Sequence, residues 1–245
     1  MIPKKIHYCW FGKNPLPESV QKCIASWKKY CPNYEIIEWN EDNYDIHKIP
    51  FISDAYKYQK YAFVSDYARL DIIYNEGGIY LDTDVELLRP IDSLLEEKCF
   101  MGFEIPGKVN TGIGFGAIKQ HEFIKENKLV YESMEFNPKF LNTCVEITTN
   151  LFESYGLINK DIEQKLADVT IYPTDYFCPF SIETRRTTIT NNTYSIHHYD
   201  ATWYGKGKVA KIKKFMLPFK IKARLYINKS LGEGTYERIK QRLKK

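Results

Sequence analysis

The chain has no apolar run approaching the roughly 18 residues that a membrane-crossing helix needs, so no such span is expected in its 245 residues. The opening MIPKKIHYCWFG has no long apolar stretch of the kind that drives secretion, so no leader is expected either. The cysteines, at 9, 23, 31, 99, 144 and 178, form no CxxC pair. Without a secretory signal they read as reduced thiols of a cytoplasmic protein. There is no internal repeat and no low-complexity tract. The Gly112-Ile113-Gly114-Phe115-Gly116 run has the wrong spacing for a dinucleotide fingerprint, and no helix directly follows it. No nucleic-acid partner is expected.

What is present is a globular composition, 44% hydrophobic with 19 tyrosines, enough for one domain or one domain with an extension. The net charge of +4 is unevenly spread. Residues 204–245 hold 14 Lys and Arg against two Glu, whereas the rest holds 21 against 29 acidic residues, balances of +12 and −8. An acidic body with a basic tail suggests a separate partner for the tail. The expected division is a catalytic domain over residues 1–205 and a basic helical extension over 206–245. In that extension Lys and Arg alternate with Val209, Ile212, Phe215, Leu217 and Ile221, a pattern suited to an anionic membrane surface.

The densest information lies between Tyr61 and Glu86. Phe63, Tyr67, Leu70 and Tyr74 make an apolar helical stripe, ended by Gly77-Gly78. Ile79-Tyr80-Leu81 then reads as a buried strand with Asp82-Thr83-Asp84 at its carboxyl end, where open α/β sheets place their ligands. Two carboxylates one residue apart repel each other, and burial raises the cost unless a cation pairs with them. Mg²⁺ or Mn²⁺ suits such hard oxygen ligands. Asp66 and Arg69, three apart, share one helix face and could present a carboxylate and a guanidinium to a polyhydroxylated substrate.

Around this stretch the pattern is β-α-β. Lys5–Trp10 and Tyr34–Trp39 read as strands, with a helix over Pro17–Tyr30 between them. Residues 40–59 read as a loop with short helical turns. Further strands are expected at 85–88, 99–103, 169–172 and 194–198, and helices over 121–134 and 138–155. Asn110 precedes a glycine-rich strand, where its amide could hydrogen-bond a sugar hydroxyl.

The combination of IPKKIHYCWFG, SDYAR, GGIYLDTDV and SIHHYDATW resembles the DXD glycosyltransferases of family 32, over about residues 1–205. The resemblance implies an α/β, GT-A-like fold with a mixed, mostly parallel sheet flanked by helices. It implies transfer of a sugar, with retention, from a nucleotide diphosphate to a saccharide or lipid-linked oligosaccharide acceptor in capsule or lipopolysaccharide synthesis. A UDP-sugar is the first expectation and GDP-mannose the second. The implied cofactor is Mn²⁺ or Mg²⁺, bound by Asp84 and His198, with Asp82 acting through water or holding the ribose. Trp10 or Phe11 would line the base pocket, Asp66 and Arg69 would hold donor hydroxyls, Tyr80 would buttress the phosphates, and Trp203 would reach the diphosphate. The expected location is cytoplasmic, extending to the inner face of the plasma membrane.

Two other readings use the same residues. A phosphohydrolase would employ Asp82 as nucleophile with a downstream lysine, but Glu86 stands where that chemistry expects Thr or Val. A non-catalytic sugar-binding or membrane-surface protein would rely on the basic tail.

Overall fold

The computed structural model describes residues 1–138, 142–181, 186–199, 226–227 and 230. The chain divides into two compact units, residues 1–179 with 189–199, and residues 180–188 with 200–245. Trp203 and nearly all of the basic segment lie outside the described residues, as does the expected boundary after residue 205. Among the described residues no helix is long and apolar enough to cross a membrane, and the six cysteines form no disulfide with one another.

The first unit is built on an eight-stranded sheet. Its strands are β1 (Lys5–Cys9), β2 (Glu35–Trp39), β3 (Gly78–Tyr80), β5 (Cys99–Ile105), β6 (Lys108–Asn110), β7 (Phe115–Ala117), β8 (Gln164–Leu166) and β9 (Val169–Tyr172). The remaining strand of the motif region, β4 (Val85–Leu87), stands outside that sheet and pairs with β12 (Ser195–His197). The main order is β2-β1-β3-β7-β5-β9-β8, with β6 on β5. Strands β1, β2, β3, β5 and β9 run one way and β6, β7 and β8 the other, so the sheet is mixed and mostly parallel. In the second unit the described pair is β10 (Phe180–Ser181) with β11 (Arg186–Thr187).

Side chains alternate across this sheet, and both faces are covered. Ile79, Phe100 and Tyr172 point into one apolar cluster, together with Trp27 and Cys23 of α1 (Glu18–Tyr30) and Phe177 of α6 (Thr174–Phe177). Tyr80, Met101, Phe103 and Ile171 point into the other. That second cluster is covered by α2 (Pro50–Lys57), α3 (Tyr61–Glu76), α4 (Glu122–Glu132) and α5 (Cys144–Glu153). A strand buried on both sides needs apolar residues at every position, which is why CFMGF of β5 shows no polar alternation.

Local sequence explains most boundaries. Gly77 closes α3 with φ of 63° and donates its N–H to Ile73 at 2.9 Å, a conformation that glycine adopts without Cβ strain. The 40–59 connection is more regular than expected. Pro50 occupies the first turn of α2, and Phe51, Ile52 and Ala55 bury one side of it. Helix α5 starts at Cys144 rather than near residue 138, because Thr143 and Glu146 form a capping box. The expected Pro-containing turn at 173–177 is the single-turn helix α6.

Helix α1 is tied to the segment beyond the DxD. Trp27 donates its indole N–H to the Val85 carbonyl at 2.8 Å, and Ser26 Oγ accepts the Leu87 N–H at 2.9 Å. Those bonds fix β4 immediately after Asp84.

Candidate active site

Helix α3 buries its polar residues as well as its stripe. Asp66 is 7% exposed and Arg69 3%, so they are no solvated surface pair. Arg69 Nη2 stands 3.1 Å from Asp66 Oδ1 and 3.0 Å from Asp82 Oδ1. Its Nε donates to the Ser65 carbonyl at 3.1 Å. Nη1 makes only longer contacts, 3.4 Å to Thr111 Oγ1 and 3.7 Å to Cys144 Sγ. The guanidinium also lies over the Tyr80 ring, 4.9 Å from its centroid.

Asp82 therefore stands at the carboxyl end of β3 with its first oxygen doubly held, since Tyr80 also donates its hydroxyl to Oδ1 at 3.0 Å. Tyr80 was expected to buttress phosphates. It is buried, and its hydroxyl serves the carboxylate instead. The backbone turns tightly after Asp82, whose carbonyl accepts the Val85 N–H at 3.0 Å.

Asp84 meets the far end of the unit. Pairing of β4 with β12 sets Val85 against His197, and Asp84 Oδ1 lies 3.2 Å from His197 Nε2. His198, the expected partner, instead places Nε2 2.8 Å from Glu86 Oε2, and both of those side chains are about two-fifths exposed. The β4–β12 register sets His198 opposite Asp84 along the backbone, where the His198 N–H donates to the Asp84 carbonyl at 2.9 Å, so side-chain direction rather than strand alternation brings the His197 imidazole to Asp84 and the His198 imidazole to Glu86.

Burial governs the electrostatics. It pushes the Asp66 carboxyl up from its ordinary 3.8 to about 6, against the pull of Arg69. Asp82 is also raised by burial, opposed by Arg69 and reinforced by the charge of Asp84. Burial alone would lower the His197 imidazole, but the hydrogen bond and charge of Asp84 outweigh it and hold its pKa well above the usual value. The Asp84 pairing therefore favours the protonated form of His197.

One carboxylate near these groups was not legible beforehand. Glu104, near the end of β5, interacts with the side chains of Asn110 and Tyr199 and feels the charges of His197 and Asp84; burial raises its pKa. The available signal was a single acidic residue in an otherwise apolar strand. Asn110, expected to face a sugar, is buried, and its Oδ1 accepts the Gly112 N–H at 2.6 Å. Cys144 and Thr111, also unforeseen, complete the surroundings of Arg69.

The two aromatic candidates separate. Phe11 is buried in the core against Tyr44, with ring centroids 6.0 Å apart, so it does not form a base plate. Trp10 is half-buried, donates its indole N–H to the Asn14 carbonyl at 2.6 Å and lines a cavity of about 330 Å³ with Lys13, Asn14, Glu38 and Asp42.

Among the described residues no group of three or more His, Cys, Asp or Glu is already arranged around a common ion position. The donor chemistry nevertheless fits a hard divalent cation: two carboxylates from Asp82 and Asp84 with an imidazole nitrogen from His197. Cation binding there would compete with the proton on His197 and with its ion pair to Asp84.

The chain matches the family model "Glycosyltransferase sugar-binding region containing DXD motif" over residues 17–101. It is 28% identical over 153 residues to "Inositol phosphoceramide mannosyltransferase 1" of Schizosaccharomyces pombe, covering 57% of this chain and 45% of that protein. It is 30% identical over 156 residues to "Inositol phosphoceramide mannosyltransferase 3" of the same yeast, covering 60% and 42%. The chain thus spans less than half the length of these curated relatives. Among solved structures, "PaToxG Glycosyltransferase" superposes with a TM-score of 0.48 at 17% identity, covering 63% of this chain and 70% of that one.

Proposed function

We propose that this chain transfers a hexose from a nucleotide diphosphate to a hydroxyl of a saccharide or lipid-linked acceptor. The observation that carries the reading is Arg69, which joins helix α3 to the strand-end carboxylate by bonding Asp66 and Asp82 at once. A buried guanidinium so held is pre-organised, and its Nη1, with only long contacts, is the donor with capacity for a sugar hydroxyl. Asp66 and Asp82 fix that guanidinium and accept hydrogen bonds from the sugar hydroxyls. Trp10 lies against the base. In the transfer, the acceptor oxygen bonds to the anomeric carbon as the bond to the diphosphate oxygen breaks. The acceptor proton passes to the departing diphosphate, with retention of configuration.

Asp82 and Asp84, with His197 beside them, are the residues that would hold Mn²⁺ or Mg²⁺. When bound, such an ion supplies charge neutralisation at the leaving diphosphate. The names of the yeast relatives support mannose as the sugar, so GDP-mannose is to be tested beside UDP-hexoses. They also support a glycolipid acceptor; capsule or lipopolysaccharide synthesis on a membrane surface is a further setting for the same chemistry. The phosphohydrolase reading is less well supported, because the cation paired with Asp82 is Arg69 rather than a lysine.

A thermal-shift panel of nucleotide sugars with and without Mn²⁺ tests the proposal. At a hundredfold excess over Kd the right donor stabilises by about 2.7 kcal/mol. Asp84→Ala should abolish transfer in a protein that still folds, with a lowered melting temperature because His197 loses its carboxylate partner. Cation-dependent turnover retained in that variant overturns the reading, and an aspartyl-phosphate trapped on Asp82 replaces it with hydrolase chemistry.

A further inference from the structure

Gly112 presents a steric puzzle that its backbone does not solve. Among the described residues the glycines with positive φ are 12, 77, 78, 107, 114 and 156, so Gly112 occupies a conformation open to residues with a side chain. Yet a Cβ built on Gly112 would stand 2.3 Å from Asp82 Oδ2, and 3.1 Å from both Arg69 Nη1 and Asn110 Oδ1. A carbon and an oxygen cannot approach to 2.3 Å without one of them moving.

Neither backbone can easily retreat. The Gly112 carbonyl accepts the Asp82 N–H at 3.2 Å, and the Gly112 N–H donates to Asn110 Oδ1 at 2.6 Å. On the Asp82 side, Oδ1 is held by Arg69 and Tyr80. The group left to yield is the carboxylate itself, which would have to swing away from Arg69.

We propose that Gly112 is a positioning residue for Asp82: the space left by its absent side chain is the seat of the second carboxylate oxygen. Arg69 and Tyr80 set one oxygen of Asp82, and the Asn110-Thr111-Gly112 turn sets the other. The consequence for sugar transfer rests on the proposed role of Asp82, but the seat itself does not.

The test is a double-mutant cycle with a cation titration. Gly112→Ala should lower the melting temperature by about 2–8 °C in the wild-type background. In an Asp82→Ala background it should leave that temperature unchanged or raise it, since the new methyl fills the vacated space. Mn²⁺ affinity of the folded Gly112→Ala protein, read by calorimetry, should fall about 10- to 100-fold, as it does when a ligand's support is removed. An equal thermal cost in both backgrounds overturns the seat, whatever Mn²⁺ does. Relief by Asp82→Ala with unchanged Mn²⁺ affinity supports the seat and counts against Asp82 as a cation ligand. Should Gly112→Ala alone fail to fold, a folded double variant supports the seat and an unfolded one overturns it.

Discussion

Asp84 and His197 meet at 3.2 Å, carboxylate to imidazole, although one follows the third strand of the chain and the other belongs to its last described strand. Their contact joins the two ends of the candidate site. It also predicts a difference between neighbours. His197→Ala should weaken Mn²⁺ binding by about 10- to 100-fold, the range for groups that orient or complete a metal shell. His198→Ala, whose imidazole pairs with half-exposed Glu86, should change it little. Calorimetric titration of both variants with Mn²⁺ distinguishes them, and the reverse order would reinstate His198 as the ligand.

Among the described residues, Arg69 is the cation that pairs with both Asp66 and Asp82. Arg69→Met leaves the buried Asp66 and the partly buried Asp82 without it. Removing one member of a buried ion pair typically destabilises by about 3–5 kcal/mol. Urea denaturation should show a lower midpoint with an unchanged slope, and an unchanged midpoint would refute the buried linkage.

Trp10 and Phe11 are adjacent but should behave oppositely. Phe11→Ala opens a core cavity and should destabilise by about 3–5 kcal/mol. Trp10→Ala should leave stability near wild type and weaken nucleotide binding by about 1–3 kcal/mol, the scale of a lost base stack. Paired melting and nucleotide-binding measurements check both. Unaltered nucleotide affinity in Trp10→Ala would remove that residue from the donor site.

His7 gives a pH prediction. Its Nδ1 accepts the Trp39 indole N–H at 3.0 Å, so Nε2–H donates to the Gly77 carbonyl at 3.0 Å, and the ring is neutral. Burial lowers its pKa from 6.5 to about 4. Between those values the unfolded chain binds the proton and the folded one does not, so stability falls as pH falls, by up to about 1.4 kcal/mol per unit. Asp66 works oppositely: its pKa is raised to about 6, so its contribution is present at low pH and lost as pH rises through that value. The difference between wild type and His7→Gln across pH 4–7 isolates the histidine. A difference that does not change with pH would contradict the neutral tautomer.

The helix of the motif, its glycine stop and the DxD at a strand end were legible because each is set by residues within a few positions of one another. Asp66 and Arg69 share a face by spacing alone. Other features were not legible, for specific reasons. Whether that pair is solvated or buried depends on β3 and on the Cys144 end of α5, which arrive from elsewhere in the chain. Which imidazole reaches Asp84 depends on how the side chains leave the paired β4 and β12. Phe11 and Trp10 look alike as aromatic neighbours until the strand end sends one into the core. Glu104 carries no motif and acquires meaning only from what surrounds it.

The sequence by itself determined the alternation of strands and helices, the mixed α/β class and the acidic pair at the end of the third strand, since periodicity and glycine placement act through short-range sterics. The tertiary structure decided the partners: Arg69 between two carboxylates, His197 rather than His198 on Asp84, and Asp82 seated over Gly112. Those pairings depend on strand register and packing summed over the unit, and no stretch of the chain encodes that sum locally.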